Sequence, residues 1–254
     1  MSSRRLTPAY KVFVVLLRPL LRAIAKRDYQ HVERLPREGG FILAPNHVTY
    51  VDPLVVALFA YETRNPPFFL AKEALFRIPV FGKLLGAADQ IPVYRGGQQA
   101  REAYSGGVQA LRDGKCLVVF PEGTLTRDPS QWPMVGKTGA ARLALATRCP
   151  VVPIAQWGAQ EILGTYEKSV HLLPRKTTHV RVGEPVDLSD LYDQPMTATL
   201  LREATERIMT AITRELEVLR GEPAPVGRYD PKSAGVSQTG NFKRDGLESD
   251  GGRS

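Results

Sequence analysis

The sequence predicts a single α/β domain, a largely parallel sheet covered by helices, preceded by an amphipathic N-terminal helix. Three observations predict it. Short apolar or β-branched runs alternate with longer segments of helical period through the middle of the chain. The 254 residues are 43% apolar and 24% charged, enough for a sizeable core. The first 38 residues carry nine basic side chains against three acidic ones, most of a whole-chain formal charge of +8. This composition excludes a wholly disordered, collagenous or mucin-like chain. The two cysteines, Cys116 and Cys149, cannot make a disulfide framework or a cysteine-rich zinc site, and they suit a reducing setting.

Residues 1–29 read as an amphipathic membrane-associating segment. On a helix over 8–27, at about 100° per residue, Lys11, Arg18 and Arg22 fall in a stripe ~40° wide with Lys26 beside it. Phe13, Leu17, Leu20 and Ile24 lie opposite, and Pro19 predicts a kink. Such a helix lies in a membrane interface, its cations at lipid phosphates. The alternative is a helix packed on its own domain with a solvated basic face. No run approaches the roughly 20 apolar residues of a spanning helix. Val12 to Leu17 is bounded by Lys11 and Arg18, and no signal-peptide pattern follows. The basic residues are not interleaved with stacking aromatics, so nucleic acid is not an expected partner.

Residues 30–220 make up the domain itself. Strands are predicted at Gly40–Pro45, Pro67–Ala71, Gln90–Tyr94, Lys115–Phe120, Val151–Ala155, Val170–Leu173 and Thr178–Val182. Helices are predicted at Pro53–Glu62, Val80–Leu85, Gln98–Arg112, Thr138–Thr147 and Thr197–Arg220. The last has apolar residues near the 3.6 period, from Leu200 and Leu201 to Leu216 and Leu219, and should close the domain. Residues 221–254 are rich in Gly, Pro, Ser and charge, and read as a disordered polar tail.

Two strand ends carry chemistry. In Asn46-His-Val-Thr-Tyr-Val-Asp-Pro53 an apolar strand runs into His47, and Asp52 follows five residues later. On a regular helix that spacing separates two side chains by about 140°, so they meet only across an irregular turn. Pro53 supports such a turn, because the residue before proline avoids the α region and proline favours the first helical position. Asp52 then reads as a helix N-cap, and its carboxylate also has capacity for an imidazole N–H. An oriented imidazole with a carboxylate partner is what general-base catalysis near neutral pH requires. In Lys115-Cys-Leu-Val-Val-Phe-Pro-Glu-Gly-Thr124 a second apolar strand ends in Glu122 and Gly123. The carboxyl end of a parallel strand is where α/β folds place ligands, and Gly123 allows close backbone approach. Cys116 reads as core. Lys137, just ahead of a helix, is a candidate anion ligand. The histidines, His31, His47, His171 and His179, show no metal-ligand spacing.

Taken together and in this order, these segments resemble the lysophospholipid acyltransferase superfamily. Its His-x4-Asp motif is matched by His47 and Asp52, and its Phe-Pro-Glu-Gly-Thr motif by Phe120 to Thr124. A strand ending in arginine is similar to Ile91-Pro-Val-Tyr-Arg95, and a Val-Pro strand to Val151-Val-Pro-Ile-Ala155. The arginine that many members place just after Glu-Gly-Thr is displaced here to Arg127, and Gln156 stands where proline is common.

The resemblance implies the glycerolipid acyltransferase fold and a transfer of a fatty acyl group from acyl-CoA or acyl carrier protein. The acceptor it implies is the free hydroxyl of lysophosphatidic acid (1-acylglycerol 3-phosphate), giving phosphatidic acid in phospholipid biosynthesis. His47 would be the base and Asp52 its orienting partner. Glu122, Gly123 and Thr124 would bind substrate, with backbone N–H groups near Gly123 on the oxyanion. Arg95 would hold the acceptor phosphate, with Lys137 and Arg127 as further candidate anion ligands. No cofactor or metal is implied. The partners implied are an anionic membrane surface, a lysophospholipid and an acyl thioester, at the cytoplasmic face of the cell membrane, peripherally or monotopically. The alternatives are transfer to another lysophospholipid or to glycerol 3-phosphate, and a non-catalytic lipid-binding module. The oligomeric state is not indicated.

Overall fold

A computed structural model of the chain describes residues 18–19, 21–72, 91–93 and 97–237. The predicted helix Val80–Leu85, the candidate Arg95, the N-terminal residues 1–17 and the tail beyond 237 lie outside the described residues.

Seven strands form one sheet in the order β1-β7-β6-β2-β5-β3-β4. They are β1 (Ala25–Gln30), β2 (Phe41–Pro45), β3 (Pro67–Lys72), β4 (Ile91–Val93), β5 (Cys116–Val118), β6 (Val151–Trp157) and β7 (Lys176–Val182). Every pairing is parallel except that of β6 with β7. The central strands are apolar runs because both faces of the sheet are covered. Phe41 and Leu43 of β2, with Cys116 and Val118 of β5, pack against Val55, Val56 and Phe59 of α1 (Asp52–Glu62). Ile42, Ala44 and Leu117 face the other way, onto α2 (Gly97–Arg112), α3 (Gly139–Thr147) and α4 (Ala198–Arg220). The side chains alternate with the two-residue period of a strand, and Cys116 is core, as its sequence context predicts.

Helix α4 is bounded by sequence signals. Thr197 caps it by accepting the Leu200 N–H at 3.2 Å. Gly221 ends it at φ 67°, a left-handed conformation that costs glycine little. Leu200, Leu201, Ala204, Ile208, Ile212 and Leu216 make its buried stripe.

Three expectations are corrected. The predicted helix over 8–27 does not reach its end: residues 18–19 and 21–24 are helical, but Ala25–Gln30 is strand β1. The boundary expected after residue 29 therefore falls earlier, because β1 is the sheet's edge strand, paired with β7. Its charges hide it from a hydropathy reading, yet they hold its register. Asp28 meets His179 Nδ1 at 2.9 Å, and Arg181 donates to Gln30 at 2.9 Å. A charged edge is also a poor template for unwanted strand pairing. Two cations of the basic stripe are turned onto the domain: Arg18 and Arg22 both pair with Glu62, which also meets Arg27 and the Tyr29 hydroxyl. Among the described residues no helix is long and apolar enough to cross a membrane.

The second correction is Val170–Leu173, which is a loop tied down by one bridge between Leu163 and Val170. The third is the tail. Residues 221–237 are not disordered but are fastened back on α4 and on the 130–135 segment. Arg228 donates to Thr213 at 2.6 Å and Thr210 at 2.7 Å and pairs with Glu206. The Val135 N–H donates to the Tyr229 carbonyl at 3.0 Å. Beside this seam Arg220 is sandwiched between Trp132 and Trp157, at 4.0 and 4.5 Å from the ring centres. Truncation after Gly221 is therefore expected to cost about 1–3 kcal/mol of stability, the worth of a few such bonds. Chemical denaturation of the full and shortened chains measures it, and identical midpoints would refute the fastening.

Candidate active site

β2 and β5 are parallel neighbours, so the turns that follow them open on the same edge of the sheet, where parallel α/β sheets bind ligands. β2 delivers Asn46 and His47, and β5 leads into Phe120, Pro121 and Glu122. β4 ends at Val93 on that edge as well. Arg95, two residues on, is outside the described residues.

The five-residue spacing between His47 and Asp52 is bridged by a turn, not a helix. Residues 46–48 are irregular, 49–51 form a bend and turn, and α1 begins at Asp52 with Pro53 in its first turn. Asp52 is thus the first helical residue and not the N-cap the sequence predicts, because its side chain points backwards. Its Oδ2 accepts the N–H of Val48 at 2.5 Å and of Thr49 at 2.8 Å. The same oxygen lies 3.0 Å from His47 Nδ1. A carboxylate oxygen that already serves two donors is an acceptor toward the ring too, so Nδ1 carries the imidazole proton and Nε2 keeps its lone pair. Asp52 is buried, whereas the His47 side chain is 14% exposed. The ring rests on Phe120, centroids 4.3 Å apart and planes 34° apart. A ring fixed on one edge and one face, with Nε2 presented on the other edge, is built to take a proton.

Glu122 holds the histidine from behind. Its Oε1 accepts the His47 N–H at 2.9 Å, and its Oε2 the Met134 N–H at 3.1 Å. It is 1% exposed. Burial pushes its carboxyl up to about 8, against the pull of those two N–H donors. The family resemblance implies a substrate contact for Glu122; the structure commits both oxygens to the backbone. The Thr126 N–H closes the same knot on the His47 carbonyl at 2.7 Å.

The other predicted residues divide. Gly123 has φ +67°, so the backbone favours glycine, and a Cβ there would sit 2.9 Å from the Lys137 side chain, which would have to swing aside. Its N–H donates to the Phe120 carbonyl at 3.0 Å and is spent within the turn, not offered to an oxyanion. Lys137 is exposed, its side chain lying over Gly123. Thr124 is buried, with its hydroxyl against Tyr166. Arg127 is buried as well, its guanidinium 4.8 Å from the Tyr166 ring centre, inside the domain and not on an open anion site. Tyr166 donates to the Leu125 carbonyl at 2.9 Å, and burial pushes its phenol up to about 12.

Sequence reasoning missed the clamp between β2 and β6. Asn46 Oδ1 accepts the Gln156 N–H at 2.8 Å, and Asn46 Nδ2 donates to the Gln156 carbonyl at 3.1 Å. Gln156 Nε2 answers by donating to the Asn46 carbonyl at 2.9 Å. Proline at 156 has no N–H to give. The departure at Gln156 was therefore the available signal for the residue that fixes the backbone beside His47.

An acyltransferase family model matches residues 26–157, just over half of the chain. The chain belongs to the acyltransferase family. The matched span runs from β1 through β6 and contains His47, Asp52 and Glu122. This acyltransferase is 25% identical over 191 residues to a 1-acyl-sn-glycerol-3-phosphate acyltransferase of Borreliella burgdorferi, covering 74% of this chain and 70% of that protein. It is 24% identical over 214 residues to the Bacillus subtilis protein of the same name, covering 83% of this chain and 100% of that one. It is also 28% identical over 176 residues to an N-acylphosphatidylethanolamine synthase of Arabidopsis thaliana, covering 65% of this chain and 61% of that one. The crystal structure of the 1-acyl-sn-glycerophosphate acyltransferase of Thermotoga maritima shares the fold, with a TM-score of 0.59 at 21% identity over 82% of this chain and 78% of that chain. The acyltransferase is an enzyme, which sets aside the non-catalytic lipid-binding alternative.

Proposed function

We propose that this acyltransferase moves a fatty acyl group from acyl-CoA or acyl carrier protein to the free hydroxyl of 1-acylglycerol 3-phosphate. The observation that carries the proposal is the His47–Asp52 pair at the sheet edge, with Nδ1 held 3.0 Å from Asp52 Oδ2 so that Nε2 is the nitrogen left to act as base. The acceptor hydroxyl gives its proton to Nε2 as its oxygen attacks the thioester carbonyl. Asp52 stabilises the imidazolium that forms. The tetrahedral intermediate expels the thiolate, which takes the proton back from His47. The products are phosphatidic acid and the free thiol, and no covalent acyl-enzyme is needed. Arg95 and Lys137 are the cations proposed for the acceptor phosphate, by charge complementarity. The reaction needs no metal or cofactor beyond the thioester.

The acceptor is amphiphilic and the product insoluble, so we place the enzyme peripherally or monotopically on the cytoplasmic face of an anionic membrane. The residues preceding β1 would attach it. The names of the bacterial relatives support the choice of acceptor. The test is product analysis by mass spectrometry with purified protein, one acyl-CoA and a panel of 1-acylglycerol 3-phosphate, other lysophospholipids and glycerol 3-phosphate. Phosphatidic acid as the main product, lost in Asp52→Asn, is the expected result. A main product from another acceptor would overturn the assignment.

A further inference from the structure

The loop that the sequence presents as a strand exposes what a strand would bury. Leu173 is 85% exposed, Val170 58% and Leu172 45%, three large apolar residues within four. An isolated exposed leucine is ordinary, but a contiguous cluster is a contact surface. The segment is held in place at both ends. The His171 N–H donates to the Ile162 carbonyl at 2.8 Å, and Leu163 bridges Val170. Thr49, two residues after His47, donates its hydroxyl to the Leu163 carbonyl at 2.6 Å. At the other end Arg175 donates to the carbonyls of Ala25, at 3.1 Å, and Arg22. The loop therefore runs from the turn that carries the base to the N-terminal segment. Tyr50, on the same turn as Thr49, is 54% exposed and stands edge-on to Tyr166.

The charges around the loop decide what it meets. Lys168 precedes the apolar residues, and Arg175 and Lys176 follow them. Beyond Arg175 lie Arg18, Arg22 and Arg27, three guanidinium groups sharing the single carboxylate of Glu62. An apolar tip flanked by cations is complementary to an anionic bilayer, with phosphates outside and acyl chains beneath. A protein partner of the usual kind would not need cations on both sides of so short an apolar run.

We propose that the 168–176 loop is a second lipid-contacting element, inserting Val170, Leu172 and Leu173 into an anionic bilayer. It seats the turn that carries His47 at the surface from which a lipid acceptor arrives. The proposal rests on the lipid-acceptor reading for its purpose, but its test reads binding without turnover.

The experiment uses the full chain and vesicles of phosphatidylglycerol and phosphatidylcholine. The double variant Leu172→Ser, Leu173→Ser is expected to bind them on the order of tenfold or more weaker, with an unchanged melting midpoint. A Leu173→Trp variant is expected to shift its emission to the blue when vesicles are added. It should be quenched by lipids brominated in the acyl chain. Unchanged binding by the double variant, or no spectral response of Leu173→Trp, would overturn the proposal. A blue-shifted difference spectrum of Leu173→Trp minus the parent, which removes the emission of Trp132 and Trp157, would also overturn it if seen without vesicles, since the loop would then be covered by protein. If vesicle binding behaves as expected but no lysolipid is acylated, the surface stands and the acceptor assignment falls.

Discussion

Replacing His47 with alanine is expected to lower acyl transfer by about 10²–10⁴-fold, the range a positioned general base supplies, while the protein stays folded. The backbone of residue 47 keeps its N–H on Glu122 and its carbonyl under the Thr126 N–H, and Asp52 keeps the Val48 and Thr49 N–H groups, so the alanine variant loses the ring and its bond to Asp52 but no backbone bond of the turn. What disappears is the Nε2 lone pair, the Nδ1 bond to Asp52 and the contact with Phe120. Steady-state turnover with acyl-CoA, beside a far-ultraviolet circular dichroism melt, checks both halves. Turnover within threefold of the parent would mean that another group takes the acceptor's proton.

Glu122→Ala is expected to have the larger effect on stability. It strips the acceptor from two backbone N–H groups inside the domain, those of His47 and Met134. A buried donor left without a partner costs about 1–3 kcal/mol, so the pair costs about 2–6 kcal/mol of a total near 5–15 kcal/mol. Turnover should fall with it, because the histidine's own backbone is released. Unfolding in urea, with kcat measured on the folded fraction, separates this from direct contact with substrate. A full loss of turnover with unchanged stability would return Glu122 to the acceptor, where the sequence alone places it.

The same carboxyl gives a pH signature. Its ordinary value is 4.5 and burial raises it to about 8 in the folded protein. Between those values the folded state binds a proton that the unfolded state has released. The contribution of this group is therefore complete below about 4.5 and is lost as pH rises through about 8. Denaturation midpoints taken from pH 5 to pH 9 should decline in the parent and lose that component in Glu122→Ala.

How far the sequence could be read follows from where its information sits. β2, β5 and β6 are legible because strands buried on both faces must be apolar throughout. The meeting of His47 and Asp52 is legible because Pro53 suits the first turn of a helix, which leaves the residues between the pair to an irregular turn. β1 is not, since an edge strand made of Lys26, Arg27 and Asp28 has no hydropathic signature and its partners lie some 150 residues away. Val170, Leu172 and Leu173 mislead for the opposite reason, being apolar yet facing outward. The roles of Glu122 and Arg127 depend on partners no spacing rule reaches: the Met134 amide, the His47 amide and the Tyr166 ring. Composition misjudges residues 222–237, which are fastened by a few polar bonds from Arg228 and Tyr229 and by Ala224 on the cluster of Trp132, Ala155 and Leu216.

One oxygen atom, Oδ2 of Asp52, brackets the turn and aims the ring at once. The interval between histidine and aspartate is thereby a ruler cut by backbone geometry. Adding or removing a single residue within 48–51 would break the bracket and the aim in the same stroke, so the length of this stretch is fixed by the same atom that aims the base.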